Sequence, residues 1–128
     1  MLYHITKRFK YLLDVIWNNM ITNKQILIFK NSSDTLYSAK DYTSATILYF
    51  KTLFAIQDIL LLKKIGESPK DHTIRFRKLE LHFPDLFQEL DLEFDTYRDT
   101  YSRIIDKTTC ERIKKIVEND INKYKIEE

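Results

Sequence analysis

The chain has 128 residues, 21 basic and 19 acidic side chains and a formal net charge of +2, which fits one domain and excludes bulk electrostatic affinity for nucleic acid. With one glycine and two prolines it lacks the turn residues that a β-sandwich or a doubly wound sheet requires, so long helices with few joints are implied. The single cysteine, Cys110, excludes an internal disulfide framework and a cysteine-cluster zinc site; it suits a reducing cytoplasm and reads as a small buried hydrophobe.

The opening segment places Ile5, Phe9, Leu12, Leu13, Ile16, Trp17 and Met20 at steps of three and four, the period of an amphipathic helix over about residues 3 to 20. Lys7, Arg8 and Lys10 interrupt any signal-peptide core, and no unbroken apolar run reaches the roughly 18 residues of a membrane span. A soluble, cytoplasmic protein without a membrane partner is therefore expected. From Asn23 to Ala39 the stripe is weaker: Ile26 to Phe29 competes as a short strand, and helix is preferred.

Residues 42 to 65 leave almost no polar face, so this helix must be enclosed by others. Lys63, Lys64 and Gly66 end it, cations near the negative dipole end and then a residue free to adopt positive φ. Lys51, Gln57 and Asp58 interrupt the apolar surface, and polar side chains there need partners: a neighbouring helix, a dimer contact or a pocket.

Glu67 to Asp71, with Pro69, reads as a loop. Between His72 and Phe83 a strand pair competes with a helix, and the absence of a turn residue at Arg77 and Lys78 favours helix. Pro84 suits the first position of the next helix, whose stripe Leu86, Phe87, Leu90, Phe94, Tyr97, Tyr101 and Ile104 predicts an end near Asp106. Thr108 with Glu111 forms a capping-box pattern before a last helix with Ile113, Ile116, Val117, Ile121 and Tyr124 on one face. The sum is an all-α, antiparallel bundle of about five or six helices in a single domain spanning 1–128, with 1–21 as an additional amino-terminal helix and 22–126 as the core bundle.

Four segments carry a likeness to a known family: Lys40-Asp41-Tyr42 at the hairpin turn, the apolar helix ending Leu61-Leu62-Lys63-Lys64-Ile65-Gly66, the Pro69-Lys70-Asp71-His72 loop, and Tyr97-Arg98-Asp99-Thr100-Tyr101-Ser102-Arg103. Together they resemble the HEPN family (higher eukaryotes and prokaryotes nucleotide-binding) over about residues 24 to 126. The resemblance implies two long helices in an antiparallel hairpin crossed by shorter ones, a homodimer, and pairing with a minimal nucleotidyltransferase as in toxin–antitoxin systems. Other family members cut RNA with an arginine and a histidine separated by four to six residues. Arg98 and Asp99 match the start of that motif, but Arg103 stands where histidine is expected, and a guanidinium stays protonated and cannot act as a general base.

The bare spacing recurs at Arg77 with His82 and at Arg75 with His82. Positions five apart on a helix lie about 140° apart, so Arg77 and His82 would not share a face. His72 reads either as a loop anchor bonding a backbone group or as a ligand contact. Arg98, Tyr101 and Arg103 read either as a phosphate- and base-binding groove or as a surface paired with Asp95 and Asp99, with Tyr101 in the core. Asp91, Asp95 and Asp99 lack the converging ligands of a metal site, so no metal and no cofactor is expected. Glycine-rich phosphate loops and other common catalytic signatures are absent. The expected role is thus a non-catalytic binding or regulatory protein with a nucleotide, RNA or protein partner; a ribonuclease with a non-standard site and a structural adaptor are the alternatives.

Overall fold

A computed structural model describes the backbone of residues 2–127 and the side chains of residues 7–12 and 23–127. Five helices follow one another: α1 (Leu2–Ser38), α2 (Tyr42–Ile65), α3 (His72–His82), α4 (Pro84–Asp99) and α5 (Lys107–Lys123), with no strand among the described residues. The segments whose periodicity left strand open, 25–30 and 73–83, are helical apart from Phe83 at the joint before Pro84.

Where two amino-terminal helices were expected there is one, because no glycine or proline interrupts the chain before Ser38. Asn23 does not start a second helix by capping it: its side-chain amide donates to the Glu127 carbonyl at 3.2 Å and ties α1 to the carboxy-terminal segment. The side chains of Ile5, Leu13, Ile16, Trp17 and Met20 lie outside the described residues.

α1 turns into α2 through a tight reversal in which Asp41 N–H donates to Leu36 O and Lys40 N–H to Tyr37 O, both at 3.0 Å. Lys40 takes a left-handed conformation (φ 65°) to close it. Asp41 then caps α2, accepting from Ser44 N. At the far end Gly66 has φ 77° and its N–H bonds Leu62 O at 2.9 Å, as its position after two lysines implied.

α2 is the centre of the molecule and packs against all four other helices. Ala45, Tyr49, Phe50 and Leu53 meet Cys110, Ile113 and Val117 of α5; Ile56 and Ile59 meet Ile26 of α1 and Ile126; Leu61 meets Leu79, Leu86 and Leu90 of α3 and α4. Each large side chain enclosed this way stabilises the fold by about 1.5–3 kcal/mol relative to exposure. Cys110 is fully buried, as expected of a small hydrophobe, and burial pushes its thiol pKa up. With Lys51 and Asp58 as its only charges between 42 and 62, α2 is also long and apolar enough to cross a membrane; in this fold more than half of that stretch is buried within the bundle.

Two boundaries differ from expectation. α4 ends at Asp99, not near Asp106: the Thr100 hydroxyl donates back to Tyr97 O, and Ser102 and Arg103 N–H both turn onto Asp99 O. Ile104, expected on the buried stripe, is 94% exposed in the connecting loop. α5 is capped by Asp106, which accepts from Thr109 N at 2.8 Å, two residues ahead of the predicted Thr108. That bond holds the Asp106 pKa below the usual carboxylate range.

Candidate functional site

The most connected polar group is Arg75, only 6% exposed. Asp71 caps α3 by accepting from Ile74 N, and this start sets Arg75 one turn in, facing α2. Its Nη1 donates to Phe54 O at 3.2 Å, Gln57 Oε1 at 3.3 Å and Asp58 Oδ1 at 2.7 Å, while the guanidinium lies 4.9 Å from the centre of the Phe54 ring. The polar interruptions Gln57 and Asp58 thus find their partner in one arginine. Burial raises the Asp58 pKa, and Arg75 opposes the rise.

His72 is the fourth member. Its Nδ1 accepts a long hydrogen bond from Arg75 Nε at 3.4 Å, and its ring sits 4.6 Å from Phe54 and 5.4 Å from both Phe94 and Tyr97. Burial first, and Arg75 second, depress its pKa, so the ring is neutral near pH 7. The expected backbone anchor is replaced by a side-chain one. The bonds from the permanently charged Arg75 to Phe54, Gln57 and Asp58, with the His72 ring set against Phe54, fasten α3 to α2.

Tyr97 carries this cluster to the surface. Its ring stands 4.9 Å from Phe54, edge to face, and its hydroxyl shares a 2.7 Å hydrogen bond with that of Tyr101. Burial, followed by that bond, pushes its pKa up to about 12, so the Tyr97 hydroxyl stays protonated at neutral pH. Tyr101 was expected in the core if not in a site, and it is 76% exposed. Arg98 and Arg103 flank it, both exposed; Arg98 pairs with Asp95, and Arg103 Nε lies 3.8 Å from Asp99. The three-and-four spacing had implied both pairs. Arg98 thus lies in the last turn of α4 with Tyr101 and Arg103 just beyond its end, and His72 is linked to Tyr101 through Tyr97.

Lys51 stands apart, its ammonium 5.0 Å from the centre of the Phe29 ring on the exposed side of α2. Arg75 and His82 do not act as a pair: Arg75 faces α2, while His82 ends α3 with its carbonyl taken by Lys64 Nζ at 2.8 Å. Arg77 is exposed. Among the described residues no group of three or more His, Cys, Asp or Glu side chains is arranged to hold a metal ion.

One buried pair escaped the sequence reading. Glu89 of α4 and Asp120 of α5 bring their carboxyls together, with Asp120 only 4% exposed. As two carboxylates, Glu89 Oε1 and Asp120 Oδ2 would have no hydrogen-bond partner; a proton kept on Glu89 converts the contact into a hydrogen bond. Burial, and then the bond to Asp120, push the Glu89 pKa up to about 9. Burial raises that of Asp120 as well.

The fold and its polar clusters define the class as an all-helical bundle built on a central apolar helix. Comparison with family models, curated proteins and solved structures returns no match to this chain.

Proposed function

We propose that this chain is a non-catalytic HEPN-like binding protein that uses the end of α4 to hold a phosphate-bearing ligand, a nucleotide or an RNA segment, in a cytoplasmic homodimer. The observation that carries the reading is the exposure, within six residues of chain, of the Tyr101 ring and of the Arg98 and Arg103 side chains. Planar guanidinium forks match phosphate oxygens, and an exposed aromatic ring offers a stacking platform for a base. Asp95 and Asp99 hold the two forks in place until a phosphate displaces them. A minimal nucleotidyltransferase as protein partner rests on the family resemblance alone.

The same geometry speaks against cleavage. The three groups carry no side chain that accepts a proton near neutral pH, and His72 is turned inward onto Arg75 and aromatic rings. A ribonuclease acting through Arg98, Tyr101, Arg103 and His72 across a dimer, and an adaptor without any ligand, are the competing readings. Thermal unfolding with and without nucleoside triphosphates separates binder from adaptor, because a ligand selective for the native state raises the midpoint. The expected result is a rise that disappears in Arg98→Ala with Arg103→Ala; no rise with any nucleotide favours the adaptor.

A further inference from the structure

α1 and α2 run antiparallel, with Ile26 against Ile56 and Ile59 and the Tyr49 hydroxyl donating to Asp34. At 1.5 Å per residue the 37-residue α1 is about 55 Å long and the 24-residue α2 about 36 Å. The Tyr11 hydroxyl lies 4.0 Å from where a Cβ on Gly66 would sit, which marks where α1 passes the end of its partner. From Lys7 to Leu12 every side chain is exposed, including Phe9 at 62% and Leu12 at 57%.

This overhang has a defined polarity. Successive helical residues are about 100° apart, so Arg8 and Lys10 stand to either side of Phe9, while Tyr11 lies about 160° round from it, toward Gly66. Leu12, three residues on, shares the side of Phe9. Phe9 and Leu12 thus face away from the bundle with a cation on each flank.

From this we infer that the amino-terminal part of α1 docks on an anionic lipid surface, with Phe9 and Leu12 entering the interface and Arg8 and Lys10 meeting lipid phosphates. Charge complementarity selects this occupant. Arg8 and Lys10 on the two flanks repel their counterparts in a second copy placed alongside, whereas an anionic bilayer satisfies both and accepts the apolar side together. The expectation of no membrane partner was drawn from the absence of spanning segments and signal peptides, and surface docking needs neither.

The test is sedimentation of the full chain with phosphatidylcholine vesicles containing phosphatidylserine and with phosphatidylcholine vesicles alone. Binding to the first, weakened by salt and absent with the second, is expected. Phe9→Asp should weaken it about tenfold or more, and Arg8→Glu with Lys10→Glu should remove it, with thermal midpoints unchanged. Failure to sediment with anionic vesicles, equal sedimentation with neutral ones, or a dimer in solution that Phe9→Asp dissociates without any vesicle binding would each overturn the proposal.

Discussion

Arg75 and the pair Arg98 and Arg103 are the same residue type in opposite settings. Arg75 is enclosed, with three side-chain acceptors, a backbone carbonyl and the Phe54 ring around it; Arg98 and Arg103 are exposed and each leans on one carboxylate from its own chain neighbourhood. Desolvation separates them. A buried guanidinium must be satisfied or the fold suffers, so Arg75 is committed to structure, whereas water screens the exposed pairs and leaves their forks available to a ligand. The residue type alone says nothing about which role it plays.

The largest effect should come from the interior. Arg75→Met leaves Asp58 and Gln57 without their donor and should lower stability by about 3 kcal/mol in urea denaturation. Replacing Asp58 by Leu in the same chain should restore part of that loss, since removing both charges is less costly than stranding one. A double variant no more stable than Arg75→Met alone would break the comparison.

A second interior device responds to pH. The folded-state pKa of Glu89 is raised from 4.5 to about 9, so across that window the native state holds a proton that the unfolded chain releases. The stability from this group is complete below the unfolded value and is lost as pH rises toward the folded one. In Glu89→Gln the amide donates to Asp120 without needing a proton. The variant should gain on the parent by about 1–2 kcal/mol between pH 6 and pH 8, a figure reduced for the partial exposure of Glu89. Thermal midpoints of both proteins across pH 5 to 9 check it; a constant difference would mean that no proton is shared.

The smallest effect on stability belongs to the surface. Arg98→Ala, Tyr101→Ala and Arg103→Ala should each shift stability by less than about 0.5 kcal/mol while weakening ligand binding. Loss of folding in any of them would place that residue in the structural network with Arg75.

The architecture was largely legible. Period and composition located α2 and its enclosure, Gly66 and Pro84 set two helix ends, and Gln57 and Asp58 announced a missing partner. The partner itself was hidden, because Arg75 lies on α3 and only the crossing of α3 over α2 shows that it points inward. Glu89 and Asp120 look like surface acids on amphipathic helices until the register of α4 against α5 brings them together. The end of α4 was overextended since Tyr101 and Ile104 continue the apolar period, and period cannot see the side-chain cap at Asp106 that competes for the following residues. Of the candidate site, Arg98, Tyr101 and Arg103 were legible as a local group; the path from His72 through Tyr97 was not, since it joins three helices.

The central claim, an α4 surface that holds a phosphate-bearing ligand without cutting it, is tested most directly by incubating the purified protein with labelled single-stranded RNA and resolving it on native and denaturing gels. Retarded but intact RNA, with retardation lost in Arg98→Ala combined with Arg103→Ala, is the predicted result. Fragments that disappear in Arg98→Ala, or RNA that migrates unbound at every protein concentration, would contradict it.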